Sequence, residues 1–214
     1  MGLTVQGNFT WAPDRRRGVC ALVAIKERER CKTRLKDAVD DRTRVELVRS
    51  MLAGVLTAAA GAQTVHQIIV VSPERDQVPH DVPVLADTGE SLNVALGQAH
   101  RMLRELGCNE VVVLPADLPH ITSAEIDVLV RAGGSGGFAI APDAAGTGTN
   151  ALCLVSAKDF QFQFGVDSQR LHLLEAERLG LSPRVVRLPG LAFDVDSPAD
   201  LQRLRVKERQ CIRA

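Results

Sequence analysis

Three aspartates stand in patterns that could hold a metal ion. Asp117 ends the apolar run EVVVLPAD (110–117), and Asp194 and Asp196 lie in FDVDSP (193–198). Residues two apart on a strand point to the same face, so the last two aspartates would present their carboxylates side by side. Such charges repel unless a cation neutralises them, and Mg2+ prefers oxygen ligands. The pattern favours a Mg2+ site, although Asp117 could instead form an Asx turn and Asp196 a helix cap.

A strongly basic segment follows the first apolar run of the chain. VCALVAI (19–25) is typical of a buried strand, and KERERCKTRLK (26–36) then carries six cations against two acids. At the carboxyl end of a strand, such cations could hold a polyphosphate, whereas a solvated charged loop is the other interpretation of the same run. The segment lacks the Gly-x4-Gly-Lys-Ser/Thr pattern of a Walker A loop.

Two loops contain groups that could bind an anion or a base. DAAGTGTN (143–150) combines small residues, which let backbone N–H groups approach an anion, with the donors Thr149 and Asn150. On composition alone, a hairpin loop is the simpler interpretation. DTGESLN (87–93) precedes a helix, whose N-terminus favours anions, and its Ser and Asn side chains could contact a base edge. Neither loop identifies a ligand by itself.

The segment FQFQFGVDSQRLH (160–172) begins with three phenylalanines at a spacing of two. This spacing is more typical of a core segment than of a ligand site. Gly165 and Ser168 then precede a helix and could hold a phosphate or carboxylate at its N-terminus. His172 is interpreted as a packing or surface residue rather than as a general base.

Apolar segments alternate with helical patterns along the chain. The predicted strands are 19–25, 67–72, 82–87, 110–117, 137–142, 150–155, 184–188 and 192–195. The predicted helices begin at Val45, at Leu92 with Gly107 as the stop, after the Thr122/Glu125 capping box, at Gln169 and after the N-cap Ser197. This alternation predicts an α/β fold with a mostly parallel sheet covered on both faces, whose ligands bind at the carboxyl ends of the strands.

The composition is that of an ordinary globular protein. Its 214 residues fit one domain over 19–206, with a flexible leader over 1–18 and a tail over 207–214. Lys plus Arg equals Asp plus Glu at 26 each, and aromatics are 3%, so nucleic acid is not an expected partner. No apolar run reaches the length of a membrane span, and five cysteines without CxxC spacing favour a cytoplasmic location. The oligomeric state stays open.

Taken together, the motifs resemble the 2-phospho-L-lactate guanylyltransferase family of coenzyme F-420 biosynthesis. That family is similar to the molybdenum-cofactor guanylyltransferases and the sugar-phosphate nucleotidyltransferases. The matching segments run in the family's order over residues 19–205: AIKERERCKTRL, ESLNVAL, LPADLP, APDAAGTGTNAL, FGVDSQRLH and PGLAFDVDSPADL. The resemblance implies a three-layer, Rossmann-like nucleotidyltransferase domain with a mostly parallel central sheet. It also implies transfer of GMP from GTP to 2-phospho-L-lactate, phosphoenolpyruvate or 3-phosphoglycerate, with release of pyrophosphate.

The resemblance also implies roles for individual residues. The implied sites are Asp117, Asp194 and Asp196 for Mg2+; Lys26, Lys32 and Arg34 for the triphosphate; Gly89, Ser91 and Asn93 for the nucleotide; and Thr149, Gly165 and Ser168 for the acceptor, with Lys26, Lys32 and Asp117 catalytic. Two departures lie beside the acceptor site, where Val166-Asp167 replaces a common Pro-Gly and Gln169 replaces a common aromatic residue. They leave the identity of the acceptor open.

Two other functions fit parts of the pattern. A molybdopterin or sugar-phosphate nucleotidyltransferase usually carries a Gly-rich loop after the first strand, and no glycine stands between Lys26 and Lys36. A nucleotide-binding regulatory module without turnover would be expected to lack the metal carboxylates, which are all present here. The sequence therefore favours an enzyme that uses Mg2+ and GTP.

Overall fold

The computed structural model describes residues 5–6, 18–25, 35, 39–86, 91–155 and 158–211, and it describes only the backbone at 5–6 and 207–211. Its strands are β1 (Val5–Gln6), β2 (Val19–Ala24), β3 (Val65–Ser72), β4 (Val84–Ala86), β5 (Glu110–Pro115), β6 (Gly137–Pro142), β7 (Thr149–Val155) and β8 (Ser182–Val185). Its helices are α1 (Asp41–Gly61), α2 (Leu92–Glu105), α3 (Ser123–Gly134), α4 (Ser168–Arg178), α5 (Pro189–Ala192) and α6 (Pro198–Cys211).

Most strands of the described residues run in one direction within a single sheet. The order across the sheet is β1-β4-β3-β2-β5-β7-β6-β8. Strands β4, β3, β2 and β5 pair in parallel, as do β6 and β8, whereas β1 and β7 run antiparallel to their neighbours. The predicted mostly parallel sheet is therefore confirmed, with β7 as an antiparallel strand inserted between two strands of the common direction.

Apolar side chains cover both faces of the sheet, as β2 illustrates. Its alternate residues divide between two cores, with Val19, Ala21 and Val23 in the core shared with α1 and α3, and Cys20, Leu22 and Ala24 in the core shared with α2 and α4. Successive residues of a strand point to opposite faces, so a strand covered on both sides needs a continuous apolar run. The result is the predicted three-layer arrangement of helices, sheet and helices.

The helix boundaries follow the capping signals of the sequence. Thr122 and Glu125 form the predicted capping box of α3, in which each side chain accepts the other residue's backbone N–H at 3.2–3.3 Å. Gly107 ends α2 with a φ of 85°. At α6, Ser197 Oγ accepts from Asp200 N, and the Asp200 carboxylate accepts from Ser197 N. Local side-chain chemistry thus sets these helix ends.

The segment before α6 differs from the prediction. The sequence predicts strands over 184–188 and 192–195, but the structure has β8 over Ser182–Val185, the short helix α5, and no strand between 193 and 197. Proline at the first position of α5 starts a helical turn. The apolar residues Leu191 and Val195 are buried there without strand pairing. The prediction that Asp194 and Asp196 share one face of a strand is therefore wrong.

The structure adds one contact from the beginning of the chain. Val5–Gln6 pairs antiparallel with β4, so part of the segment 1–18, predicted as a leader, joins the edge of the sheet. The division into a leader, a domain over 19–206 and a tail over 207–214 stays a prediction. Within the described residues, none of the helices combines the length and apolar character that crossing a membrane requires.

Candidate active site

The candidate residues gather at the edge of the sheet where its parallel strands end. Asp117 follows the end of β5 by two residues. Because β7 runs antiparallel to β5, its first residues, Thr149 and Asn150, lie at the same edge. Ligands of open α/β sheets bind at this edge. The inserted strand thus brings side chains from a strand start to the edge where the other strands end.

The three aspartates interact through their charges. Asp194 is half-buried; burial raises the pKa of its carboxyl above the usual range, and repulsion from Asp117 and Asp196 raises it further. A hydrogen bond donated by Asn150 Nδ2 to Asp194 Oδ1, at 3.3 Å, lowers it in part. Among the described residues, no three His, Cys, Asp or Glu side chains form a ready-made metal-binding group. The arrangement is an acidic cluster whose mutual repulsion a cation would relieve.

A buried valine fixes the segment that carries two of these aspartates. Val195 is fully buried, and it packs in a small core formed mainly by α1 and α6, with Met51, Leu201 and Leu204. The carboxylates on either side of it belong to half-buried residues. This apolar anchor therefore holds the irregular backbone in place where a strand was predicted.

A second anchor is the carboxylate of Glu125. Besides its role in the α3 capping box, Glu125 Oε1 accepts a hydrogen bond from Gly190 N at 2.7 Å. A Cβ at Gly190 would collide with this carboxylate and with the carbonyl oxygen of His120. The His120 ring also stacks on Phe193, with centroids 5.3 Å apart. These contacts join the segment after Asp117 to the segment before Asp194, so they fix the two carboxylates relative to each other.

The start of β7 contains a bulge. Ala141 of β6 pairs with Ala151, but Pro142 pairs with Thr149, so β7 has one extra residue at Asn150. Bulges re-aim side chains and are frequent beside active sites. At this bulge, two adjacent residues contact different parts of the site. Asn150 donates to Asp194 at 3.3 Å, and Thr149 Oγ1 lies 3.0 Å from Nδ1 of His172 on α4. Asn150 thus contacts the acidic cluster, and Thr149 contacts α4.

Residues 160–164 form an extended segment held on both edges by helix side chains. On one edge, Glu175 accepts the backbone N–H of residue 161 at 2.9 Å, and His172 Nε2 accepts that of Gln163 at 2.8 Å. On the other edge, the amide of Asn93 on α2 accepts from Phe164 N at 2.8 Å and donates to its carbonyl oxygen at 3.0 Å. Three side chains therefore position the backbone that leads to Gly165.

The turn into α4 has an unusual backbone. Gly165 has a φ of 136°, and Asp167 has a left-handed φ of 56°, which a non-glycine residue adopts rarely. The Asp167 side chain pairs with Arg170 and forms no cap hydrogen bond at the helix start. Ser168, the first residue of α4, is buried. A buried hydroxyl and a helix N-terminus without a side-chain cap are favourable surroundings for an anion.

The predicted site residues fall into three groups. Asp117, Asp194 and Asp196 form the acidic cluster. Thr149 contacts His172 on α4, Ser168 begins the same helix, and Gly165 follows by two residues the Gln163 backbone that His172 binds. Asn93 and Ser91 lie at the start of α2, where Ser91 caps the helix and Asn93 binds the backbone of Phe164. Lys26, Lys32, Arg34 and Gly89 lie outside the described residues, so their predicted roles stay predictions.

Sequence reasoning did not identify the side chains that hold these groups in place. Glu125 was predicted only as part of a capping box, and its hydrogen bond to Gly190 joins residues 65 positions apart. His172 was predicted as a packing or surface residue, whereas its two ring nitrogens bond Thr149 and Gln163. The available signal was the spacing of His172 four residues after Ser168, which places both on one face of α4.

Comparison with known proteins identifies the family. A family model described as "Guanylyl transferase CofC like" matches residues 19–210. The chain belongs to this family. It is 39% identical over 191 residues to the phosphoenolpyruvate guanylyltransferase of Rubrobacter xylanophilus, an alignment that covers 87% of this chain and 93% of the relative. Membership in the CofC-like family confirms the predicted resemblance and supports a guanylyltransferase function.

Solved structures also match the CofC-like fold. A Desulfovibrio desulfuricans protein provisionally described as a nucleotide-diphospho-sugar transferase matches with a TM-score of 0.70 and 20% identity, over 87% of this chain and 85% of that one. A nucleotidyl transferase from Methanothermobacter thermautotroptrophicus matches with a TM-score of 0.61 and 16% identity, over 91% and 99% of the two chains. At these identities the likeness shows the fold, and it confirms the predicted nucleotidyltransferase architecture.

Proposed function

We propose that this protein transfers GMP from GTP to phosphoenolpyruvate, with release of pyrophosphate, as a step of coenzyme F-420 biosynthesis. The family and the name of the Rubrobacter relative support the guanylyl donor and this acceptor. 2-Phospho-L-lactate and 3-phosphoglycerate are the competing acceptors, because each is also a small phosphorylated acid. The partners are thus a nucleotide and a small phosphorylated acid.

One observation carries the proposal. At the bulge of β7, Asn150 donates to Asp194 in the acidic cluster, and its neighbour Thr149 bonds His172 beside the N-terminus of α4. An acidic cluster suits a cation, and the hydroxyls of Thr149 and Ser168 suit an anion. A reaction between two phosphates requires both kinds of group within a short distance.

The acidic cluster has the chemistry of a Mg2+ site. Asp117, Asp194 and Asp196 supply only oxygen donors, which Mg2+ prefers. Burial, and then the charges of Asp117 and Asp196, raise the pKa of Asp194, and a bound cation would relieve the repulsion among the three carboxylates. Bound there, Mg2+ would neutralise charge on the phosphates of GTP as it develops during transfer. The three aspartates would hold it.

The chain's own residues would bind and orient the two substrates. A phosphate oxygen of the acceptor attacks the α-phosphorus of GTP, the bond from that phosphorus to the bridging oxygen breaks, and its electron pair leaves with pyrophosphate. The attacking phosphate is already ionised, so no general base is required. Thr149, Gly165 and Ser168 would bind the acceptor.

The remaining predicted residues would hold the nucleotide. Lys26, Lys32 and Arg34 would neutralise the triphosphate, and Gly89 with Ser91 would lie at the base and sugar. Catalysis of this kind depends on positioning and on electrostatic stabilisation of the transition state.

The proposal is tested by a substrate matrix. Purified protein with Mg2+ is incubated with each of the four nucleoside triphosphates and each of the three acceptors, and pyrophosphate release is measured together with the product mass. We expect the highest kcat/KM for GTP with phosphoenolpyruvate and a product that joins GMP to the acceptor. A higher kcat/KM with another acceptor would identify that acceptor as the substrate in place of phosphoenolpyruvate. No pyrophosphate release with any pair of substrates would overturn the proposed function.

Asp117→Asn tests the metal assignment. Removing this charge is expected to lower kcat by about 100-fold or more, because the phosphates lose electrostatic stabilisation. The chain should still fold, because asparagine has the shape of aspartate and the substitution relieves repulsion with Asp194. The matched control is Asp159→Asn, an exposed aspartate 3.3 Å from Arg104, which should leave turnover unchanged. Full activity of Asp117→Asn would contradict the assignment.

A further inference from the structure

The ring of His172 connects two segments that converge on the acceptor side of the site. Nε2 accepts the backbone N–H of Gln163 at 2.8 Å, and Nδ1 lies 3.0 Å from Thr149 Oγ1. The residue is fully buried. Because Gln163 N–H and the Thr149 hydroxyl occupy both ring nitrogens, the ring has no nitrogen left to act on a substrate directly.

These contacts determine where the ring proton lies. A nitrogen that accepts an N–H carries no proton, so Nε2 is unprotonated and the proton of the neutral ring lies on Nδ1. Nδ1–H therefore donates to Thr149 Oγ1, which accepts. A hydroxyl whose oxygen accepts one hydrogen bond keeps its own O–H for donation elsewhere. Among the described residues, no second partner of the Thr149 hydroxyl is found.

The surroundings of His172 keep the ring neutral and fixed. Phe160 stacks on it with centroids 5.9 Å apart, and Phe164 contacts it edge-on at 4.8 Å. Burial lowers the pKa of His172 to about 4, against the opposing charge of Glu175 one turn along α4. Arg178 partly neutralises the charge of Glu175, because Arg178 Nε lies 2.7 Å from Glu175 Oε2. Near neutral pH the ring therefore stays uncharged, and the direction of its hydrogen bonds is constant.

We propose that His172 is a positioning residue that fixes the Thr149 hydroxyl as a hydrogen-bond donor to the anionic acceptor. It does so by donating from Nδ1 while the Gln163 backbone occupies Nε2. The ring thereby also ties the start of β7 to the segment that leads to Gly165. This inference rests on the proposed function, because it specifies how the same site recognises a phosphate or carboxylate oxygen.

Two substitutions separate the two hydrogen bonds of the ring. In His172→Gln, the amide oxygen reaches the position of Nε2 and can accept from Gln163 N–H, but nothing donates to Thr149. In His172→Asn, the shorter amide can donate to Thr149 and does not reach Gln163. We expect His172→Gln to lower kcat/KM for phosphoenolpyruvate by about 10- to 100-fold, the size of a hydrogen bond to a charged group. His172→Asn should retain more of this efficiency, and KM for GTP should stay unchanged in both.

A double-mutant cycle tests whether His172 acts through the hydroxyl of Thr149. Thr149→Val removes the hydroxyl with little change of shape and should lower kcat/KM for phosphoenolpyruvate as much as His172→Gln does. Combining the two should cause no further loss, whereas Thr149→Ser should keep most of the efficiency. Additive losses, or equal changes for GTP and phosphoenolpyruvate, would show a general structural role and overturn the proposal.

The wild-type protein offers a test that requires neither a variant nor turnover. Nitrogen-15 NMR of histidine-labelled protein reports the protonation of each ring nitrogen. We expect His172 to show a protonated Nδ1 and an unprotonated Nε2 from pH 6 to 8, and the opposite tautomer would overturn the proposal even if His172→Gln fails to fold. If wild-type protein releases no pyrophosphate with any substrate pair but shows the expected tautomer, the proposed function fails and the positioning geometry stands.

Discussion

Asn93 is predicted to contact the nucleotide base, yet its amide binds the backbone of Phe164. It accepts from Phe164 N at 2.8 Å and donates to Phe164 O at 3.0 Å. Asn93→Ala removes both hydrogen bonds and leaves two backbone groups of a half-buried segment without this partner. The change therefore tests whether Asn93 serves the nucleotide or the segment before Gly165.

The expected loss of stability follows from these two hydrogen bonds. Each neutral hydrogen bond contributes about 0.5–1.5 kcal/mol, so Asn93→Ala should cost about 2 kcal/mol. For a chain of this length, that corresponds to a fall of about 4–8 °C in the melting temperature. Asn93→Asp should cost at least as much, because one carboxylate oxygen would face the carbonyl of Phe164 where the amide now donates. Protonating that aspartate at low pH should restore the donor and reduce the difference.

Calorimetry and steady-state kinetics together provide the assay. Besides the lower melting temperature, Asn93→Ala should raise KM for phosphoenolpyruvate more than KM for GTP, since Phe164 directly precedes Gly165. The exposed Asn109 supplies a control, and its alanine variant should stay within about 0.5 kcal/mol of the wild type. An unchanged melting temperature, with loss confined to GTP affinity or to guanine preference, would refute the structural role and favour the base contact.

Two further predictions concern the supports of the site. Gly190→Ala should lower turnover, and it should lower the free energy of unfolding by about 1–3 kcal/mol, because its Cβ meets the Glu125 carboxylate. Gly54→Ala adds a Cβ that meets nothing within 4 Å beyond its chain neighbours and the backbone of its own helix, so it should be neutral or stabilising. Equal melting temperatures for the two variants would contradict this. Asp127→Ala should cost about 3–5 kcal/mol, because its buried carboxylate accepts three hydrogen bonds from residues 63–64. Burial raises the pKa of Asp127, but these hydrogen bonds lower it more, so the wild-type advantage should be complete at pH 7 and shrink below about pH 4. Urea unfolding of the wild type and of Asp127→Ala, at pH 7 and at pH 3, measures this difference in stability. A difference of the same size at pH 3 would count against the role of the ionised carboxylate.

Much of the fold follows from short-range patterns. Continuous apolar runs predict β2 and β5, because a strand covered on both faces needs apolar residues at successive positions. The Thr122/Glu125 capping box and Gly107 predict helix ends, since these groups act within one turn of the backbone they satisfy. The same reasoning places Asp117 at the end of a strand.

Other parts of the site depend on contacts that no local pattern encodes. The apolar spacing of AFDV (192–195) fits a strand, but burial of Val195 against α6 satisfies it without strand pairing. The contact between Thr149 and His172 joins residues 23 positions apart across a bulge. Its existence depends on the antiparallel direction of β7, which the hairpin interpretation of residues 143–150 predicts but the alternation of strands and helices does not.

The extended segment 160–164 has a consequence for how the chain can change during evolution. Glu175, His172 and Asn93 bind its backbone, so the side chains of Gln161 and Gln163 are not what these helices recognise. Substitutions there leave the anchoring groups intact. Insertion or deletion of one residue would instead exchange the N–H groups that face α4 with those that face α2, and would turn the phenylalanines of the segment away from the core. The length of this segment, more than its sequence, is therefore the property that selection has to preserve.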